Sequence, residues 1–524
     1  MAVPPPPAWL TDGERPVLMA IGDSLLNGMR SLSIDDSLAR LSIPAEVGRS
    51  LRPPPGFAPF VPARYPRTIL LQIEDMLRER VTALLPPAGL LQLIAAVDGP
   101  GGIRSMVRDN ARAWIDRFAA APPPRPARFD NLAMNGARLP DVFGCSFAQV
   151  EARWAAMRRV IGTVDDPFAW RGALPPGDPY GDDRAHPDQP AAAGDPLLAQ
   201  PGQWGLADVH ITLNMRHLFN PDSGPGLEAY RVIDLVQARR PHVVLLDIGP
   251  NHGLADICLT GAAERGVARL RRFGRLWPAC AAELAATPDL ALAVILLPPL
   301  PSQVPALMPP QTDDPRAPEP PFGATYHPAY VSALSFQPPG REYTRAEVEG
   351  FDRAIEEVRA GMRAAAKAAF AAAGKAVAFV DLAALLDRHD AKNGRGQPFV
   401  PDPASGIAYD NRCIGQRVPF GANRLRGGIG SLDNFHPSTL GYRYVARAVV
   451  EAIDARLPGL VAGLPAVTSA GDTLLTDPPW GAINTLGAFW PFAQGLVAEG
   501  LAGPAVDPAA ARAAEQLLRL GGLR

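Results

Sequence analysis

Five short apolar runs constrain this chain more than any other feature of it. They lie at 17–21, 127–133, 242–248, 290–297 and 376–381 and are rich in Val, Leu, Ile and Ala. Strands with near-continuous apolar character are covered on both faces, which is the habit of parallel sheets. Segments with helical character separate them, at 69–85, 105–121, 147–161, 227–239, 264–286, 344–373 and 438–456. Strand and helix in alternation give an α/β sheet with right-handed crossovers. The expectation is three layers around a mainly parallel, five-stranded sheet.

At 524 residues the chain is much longer than five such units require. The surplus sits in three stretches with loop chemistry, about 165–226, 298–341 and 389–434, which read as insertions in one domain spanning 1–457. Pro 59 and Gly 49 make up about a fifth of the chain, and these stretches hold much of that excess. The rest, 458–524, is expected to be an extension packed on the main domain. It carries Trp480, Phe489, Trp490 and Phe492, then an Ala/Leu-rich segment after Pro508.

Several function classes are disfavoured at this point. The 51 basic and 53 acidic residues leave a net charge of −2, too balanced for a surface devoted to nucleic acid. Cys145, Cys258, Cys280 and Cys413 are widely spaced, which suits buried thiols better than a disulfide framework or a metal site. No cofactor or metal motif is visible. No run reaches the ~20 apolar residues of a membrane span. No basic segment followed by an apolar one opens the chain, so a cytoplasmic enzyme is expected.

The chemistry-bearing residues fall at the ends of the runs. Gly22-Asp23-Ser24-Leu25 follows the first run, where a glycine allows a sharp turn and leaves a hydroxyl at the carboxyl edge of the sheet. Asn131-Leu132-Ala133-Met134-Asn135-Gly136-Ala137 overlaps the end of the second. Ile248-Gly249-Pro250-Asn251 ends the third, and Asp433-Asn434-Phe435-His436-Pro437 precedes the last helical segment. In this order the four blocks resemble those of the GDSL, or SGNH, hydrolase family. The resemblance covers about half of the chain and leaves the insertions and the extension outside it.

The resemblance implies a Ser24, His436 and Asp433 triad and an oxyanion hole from the Ser24 N–H, the Gly136 N–H and the Asn251 amide. It implies hydrolysis of a small-molecule or lipid carboxylic ester through an acyl-enzyme. Acyl transfer to a sugar or other alcohol by the same residues, and a non-catalytic binding protein on the same fold, are the alternatives. The third block departs from the family, with His252 where an aspartate is expected. A supporting structural role is the better reading of that histidine.

Two rival motifs are set aside. Asp183-Arg184-Ala185-His186-Pro187 repeats the last block's pattern but has no amphipathic helix behind it. His436 does, with Leu440, Tyr444, Ala448 and Ile453 at helical spacing. Gly144-Cys145-Ser146-Phe147-Ala148 lacks the last glycine and the strand of a nucleophile elbow.

Overall fold

The structure is a computed structural model and describes residues 4–31, 33–72, 103–170, 206–259, 261–308, 326–332, 341–401, 408–413, 426–431, 433 and 435–468. Its centre is a sheet of four parallel strands: β1 (Leu18–Gly22), β2 (Val243–Asp247), β3 (Leu292–Leu297) and β4 (Ala376–Asp381). They lie side by side in that order. Gly22 pairs with Asp247, and Asp247 with Leu296, so the carboxyl ends of β1, β2 and β3 are level.

Helices cover both faces, as the apolar strands require. Leu18, Ala20, Val243, Leu245, Leu292 and Val294 point to one side. There they meet α2 (Ile43–Ser50) and α8 (Thr439–Asp454), the latter through Val445, Val449 and Ile453. Met19, Ile21, Val244, Leu246, Ala293 and Ile295 face the larger core. That core takes side chains from α3 (Ile103–Ala119), α4 (Phe147–Thr163) and α5 (Leu206–Phe219). It also takes α6 (Ala263–Ala285) and α7 (Arg345–Ala372), which pack on each other. Local chemistry sets where the helices begin. Thr344 and Glu347 form a capping box at the start of α7, and Ser438 accepts the Gly441 N–H at 3.3 Å to start α8.

The expected fifth strand is not one. Residues 127–133 run beside β1 with a single parallel bridge, Ala20 to Asn131. Backbone bonds join Ala20 to Asp130, Leu132 to Ala20 and Met134 to Gly22 at 2.8–2.9 Å. On the side away from β1, the Asn131 side chain accepts the Ala133 N–H at 3.1 Å and donates to Leu26 O at 2.9 Å. The path still matters. The chain leaves β1, passes along its outer side, and returns to β2 on the inner side. That reversal opens a crevice at the carboxyl end of β1, where open α/β sheets hold ligands.

Two further expectations change. Residues 69–72 are not helical, and the remainder of the segment expected at 69–85 lies outside the described residues. The stretch 165–226 is more than a loop, because it supplies α5, buried over nearly its whole visible circumference. From 298–341, Leu307–Met308 and Ala329–Ser332 form a small antiparallel sheet with Glu342–Thr344, just past the insertion. In 389–434, Ala408–Cys413 pairs with Arg426–Gly430. The aromatic cluster and helix expected near the carboxyl terminus lie outside the described residues.

Candidate active site

Ser24 owes its position to Gly22. This glycine has φ +121°, and a Cβ on it would stand 1.7 Å from the Asp247 carbonyl oxygen. Only glycine lets β1 end so close to β2 and still turn. Asp23 then caps the short helix α1 (Ser24–Asn27), accepting the Leu25 N–H at 3.2 Å. Ser24 is its first residue, so its own N–H has no intrahelical acceptor. Among the described residues that N–H is indeed unpaired, as is the N–H of Gly136. Gly136 also has positive φ, +73°, and α5 lays the Ile211 side chain against it.

His436 sits just before α8. Its Nδ1 meets Asp433 Oδ2 at 2.7 Å. The other oxygen, Asp433 Oδ1, accepts from the His436 N–H at 2.8 Å, the Phe435 N–H at 3.0 Å and the Ser431 hydroxyl at 3.0 Å. Burial pushes the Asp433 carboxyl up, but attraction to His436 and these hydrogen bonds outweigh it and hold the group below its ordinary value. An ionised acceptor at Nδ1 places the ring proton there and leaves Nε2 with its lone pair.

The loop carrying His436 is tied back to the serine segment. The Ser31 N–H donates to Ser431 Oγ at 3.1 Å, so one hydroxyl bridges the segment after α1 and the Asp433 carboxylate. Arg30 donates to the Thr439 hydroxyl, and the Tyr442 hydroxyl to Met29 O. These contacts join residues about four hundred positions apart in the chain.

Asn251 lies in the turn after β2. Its amide donates to Asp23 Oδ2 and to Ala137 O, both at 3.3 Å. Both bonds are long, and therefore weak. His252 braces this turn against the Gly136 turn: its Nε2 accepts the Leu139 N–H at 2.7 Å, and its ring packs on Phe273. The histidine in the aspartate's place is thus a strut between the second and third blocks.

Sequence reasoning passed over the support beneath these residues. Asn27 donates to Ala133 O at 2.8 Å and to the Tyr65 hydroxyl at 2.9 Å. Tyr65 donates to Asn214 Oδ1 at 2.9 Å, and Asn214 to Asn135 Oδ1 at 2.7 Å. This buried chain locks α1, the Gly136 turn and α5 together. One signal was available: His210, Asn214 and His217 recur at one-turn spacing along a segment that also carries Val209, Ile211, Leu213, Met215 and Leu218.

Ser24 and His436 line one cavity of about 790 Å³, part of it open to solvent. Leu25, Leu254, Leu385 and Tyr444 contribute to its apolar wall. Val304 and Pro305 from one insertion and Ile429 from another complete it. The Ser24 hydroxyl makes no hydrogen bond among the described residues. Of the expected site residues, Ser24, Asp433, His436 and Asn251 converge here through contacts or shared cavity wall, with Gly136 next to Ala137, whose carbonyl accepts the Asn251 amide. His186 lies outside the described residues. Cys145, Cys258 and Cys280 are buried free thiols, and among the described residues no three His, Cys, Asp or Glu side chains group to hold a metal. No described helix is long and apolar enough to cross a membrane. None of the family models, curated proteins or solved structures compared with the chain matches it.

Proposed function

We propose that the chain is a serine hydrolase that cleaves carboxylic esters through an acyl-enzyme, on a three-layer fold of the GDSL/SGNH type. The observation that carries this reading is the Asp433–His436 pair, closed at 2.7 Å and opening into the cavity that Ser24 lines. A serine hydroxyl becomes a useful nucleophile only when a base removes its proton. With Nδ1 held by Asp433, His436 Nε2 is the base available. It takes the Ser24 proton as Oγ attacks the ester carbonyl, and Asp433 stabilises the resulting imidazolium. The same proton passes to the leaving alcohol, and water repeats the sequence in reverse to release the acid.

Charge developing on the carbonyl oxygen needs donors already in place. The unpaired N–H groups of Ser24 and Gly136 are two. The third is the Asn251 amide, which would exchange its long bond to Ala137 O for one to the oxyanion and keep its bond to Asp23. The apolar cavity wall favours an ester with a hydrocarbon acyl chain.

The test is labelling with an alkyl phosphonate, combined with hydrolysis of p-nitrophenyl esters of increasing chain length. Adduct formation at Ser24 is expected. Ser24→Ala and His436→Ala should each lower hydrolysis by roughly five to six orders of magnitude, since triad members act as a unit. His186→Ala should leave it near the unaltered rate. A folded protein that is not labelled would be a binding protein, and the hydrolase reading would fall.

A further inference from the structure

In the proposed reaction the Asn251 amide lets go of Ala137 O, which is one link between the turn after β2 and the turn that carries Gly136. A second link joins the same two turns and takes no part in the chemistry. His252, next to Asn251 in the chain, accepts the Leu139 N–H on its Nε2 at 2.7 Å. That bond is buried, and it is shorter than either bond of the Asn251 amide, both 3.3 Å.

Each end of this link is fixed from behind. On one side, the His252 N–H donates to Gly249 O at 2.8 Å, and the ring packs on Phe273 of α6 with centroids 5.0 Å apart. The next residue is pressed onto the same helix, where a Cβ on Gly253 would stand 2.2 Å from the Gly266 carbonyl oxygen. On the other side, the Ala137 N–H donates to Met134 O at 3.2 Å and the Arg138 N–H to Asp141 Oδ2 at 2.9 Å. The Gly136 turn is thus closed on itself, and His252 ties it to α6 independently of the Asn251 amide.

We propose that His252 is a positioning residue, whose Nε2 keeps the Gly136 N–H in place while Asn251 transfers its amide from Ala137 O to the oxyanion. The residue type fits that task. To accept at Nε2 the ring is neutral and carries its proton on Nδ1. Nε2 also stands one bond farther from Cβ than an aspartate oxygen does. The aspartate expected in this block would fall short of Leu139 and would add a charge to a buried turn. The proposal rests on the hydrolase reading for the oxyanion, though not for the link itself.

Two variants separate the acceptor from the ring. The side-chain oxygen of glutamine has the reach of Nε2, so His252→Gln keeps a neutral acceptor. His252→Phe keeps the ring on Phe273 and removes the acceptor. His252→Gln should retain kcat within about threefold. His252→Phe should lower kcat by about tenfold to a hundredfold with KM nearly constant, as expected when a transition-state donor is misplaced. Amide hydrogen exchange in the peptide containing Leu139 should quicken in His252→Phe and stay near the unaltered rate in His252→Gln. An unchanged kcat in folded His252→Phe, unchanged exchange at Leu139, or equal kcat losses in the two variants would overturn the proposal. If His252→Phe does not fold, a loss of kcat above tenfold or quickened exchange at Leu139 in His252→Gln overturns it equally. Failure of the unaltered protein to take the phosphonate at Ser24 would instead reject the hydrolase reading and the positioning role with it, while exchange at Leu139 would still decide the link.

Discussion

Asp433 is held by more hydrogen bonds than a single histidine partner would need. Three donors converge on Oδ1 while Oδ2 faces the His436 ring. The carboxylate is therefore fixed before any substrate arrives, and so is the imidazole. An asparagine at 433 could still accept at one atom, but its amide nitrogen would face either the ring or the N–H cluster. The ring would then favour the wrong tautomer. Asp433→Asn should keep the fold, by near-ultraviolet circular dichroism, and lower kcat by about 10⁴, the size seen when a triad carboxylate is neutralised. A loss below tenfold would mean that Asp433 does not orient the base. The residues at this scale differ in how they could be read. Ser24, Asp433 and His436 stand in blocks whose spacing and order mark them. Ser431, which bridges Ser31 and Asp433, carries no such mark, because its role depends on a contact across about four hundred residues.

The two insertions that flank the cavity are joined to each other more firmly than proline-rich sequence suggests. Lys392 is buried, and its ammonium donates to Val304 O at 2.6 Å and Leu307 O at 2.7 Å. Burial lowers its pKa to about 8. Asn411 donates to Gln303 O at 3.1 Å and to Asp390 Oδ1 at 2.6 Å. Val304 is a cavity residue, so the Lys392 tie also sets one wall of the site. Lys392→Met should lower stability by about 1–3 kcal/mol by stranding two buried carbonyls. It should also broaden chain-length preference among esters, as read in urea unfolding and p-nitrophenyl ester rates. A destabilised variant with an unchanged ester profile would separate the tie from the cavity. The strands at 18–22, 243–247, 292–297 and 376–381 were legible because burial on both faces writes an unbroken apolar run. The failure at 127–133 and the oversight of α5 have local causes. The run at 127–133 borders β1 through a single bridge, and Asn214 of α5 meets Tyr65, Asn27 and Asn135 from distant segments. Period and composition report what a segment buries. They do not report which distant groups meet it.

The whole molecule also stores pH sensitivity away from the site. His217 of α5 is fully buried among the rings of Tyr65, Trp114, Phe118 and Phe129. Its Nε2 lies 2.7 Å from Arg64 O and must donate there, while Nδ1 has no partner among the described residues. Burial, joined by the charges of Arg117 and Arg216, outweighs the bond to Arg64 and lowers its pKa from 6.5 to about 3. The folded protein thus refuses a proton that the unfolded chain accepts. Its contribution to stability is complete above about pH 6.5, shrinks as pH falls, and is exhausted near pH 3. Within that window one histidine changes stability by about 1.4 kcal/mol per pH unit. His210 has the same sign, with its pKa lowered to about 3 by burial and by the charge of His436. The Asp23 and Asp247 carboxyls, raised by burial, have the opposite sign and add stability as pH falls. The unaltered protein therefore shows only a remainder, and a difference between variants is needed to isolate His217. His217→Phe keeps the ring in the aromatic cluster and removes the titration. Its urea-unfolding free energy, measured from pH 7.5 to pH 4, should fall less steeply than that of the unaltered protein by about 1.4 kcal/mol per pH unit below about pH 6. Parallel curves would mean that His217 takes up its proton in the folded state, and that the aromatic cluster opens to admit it.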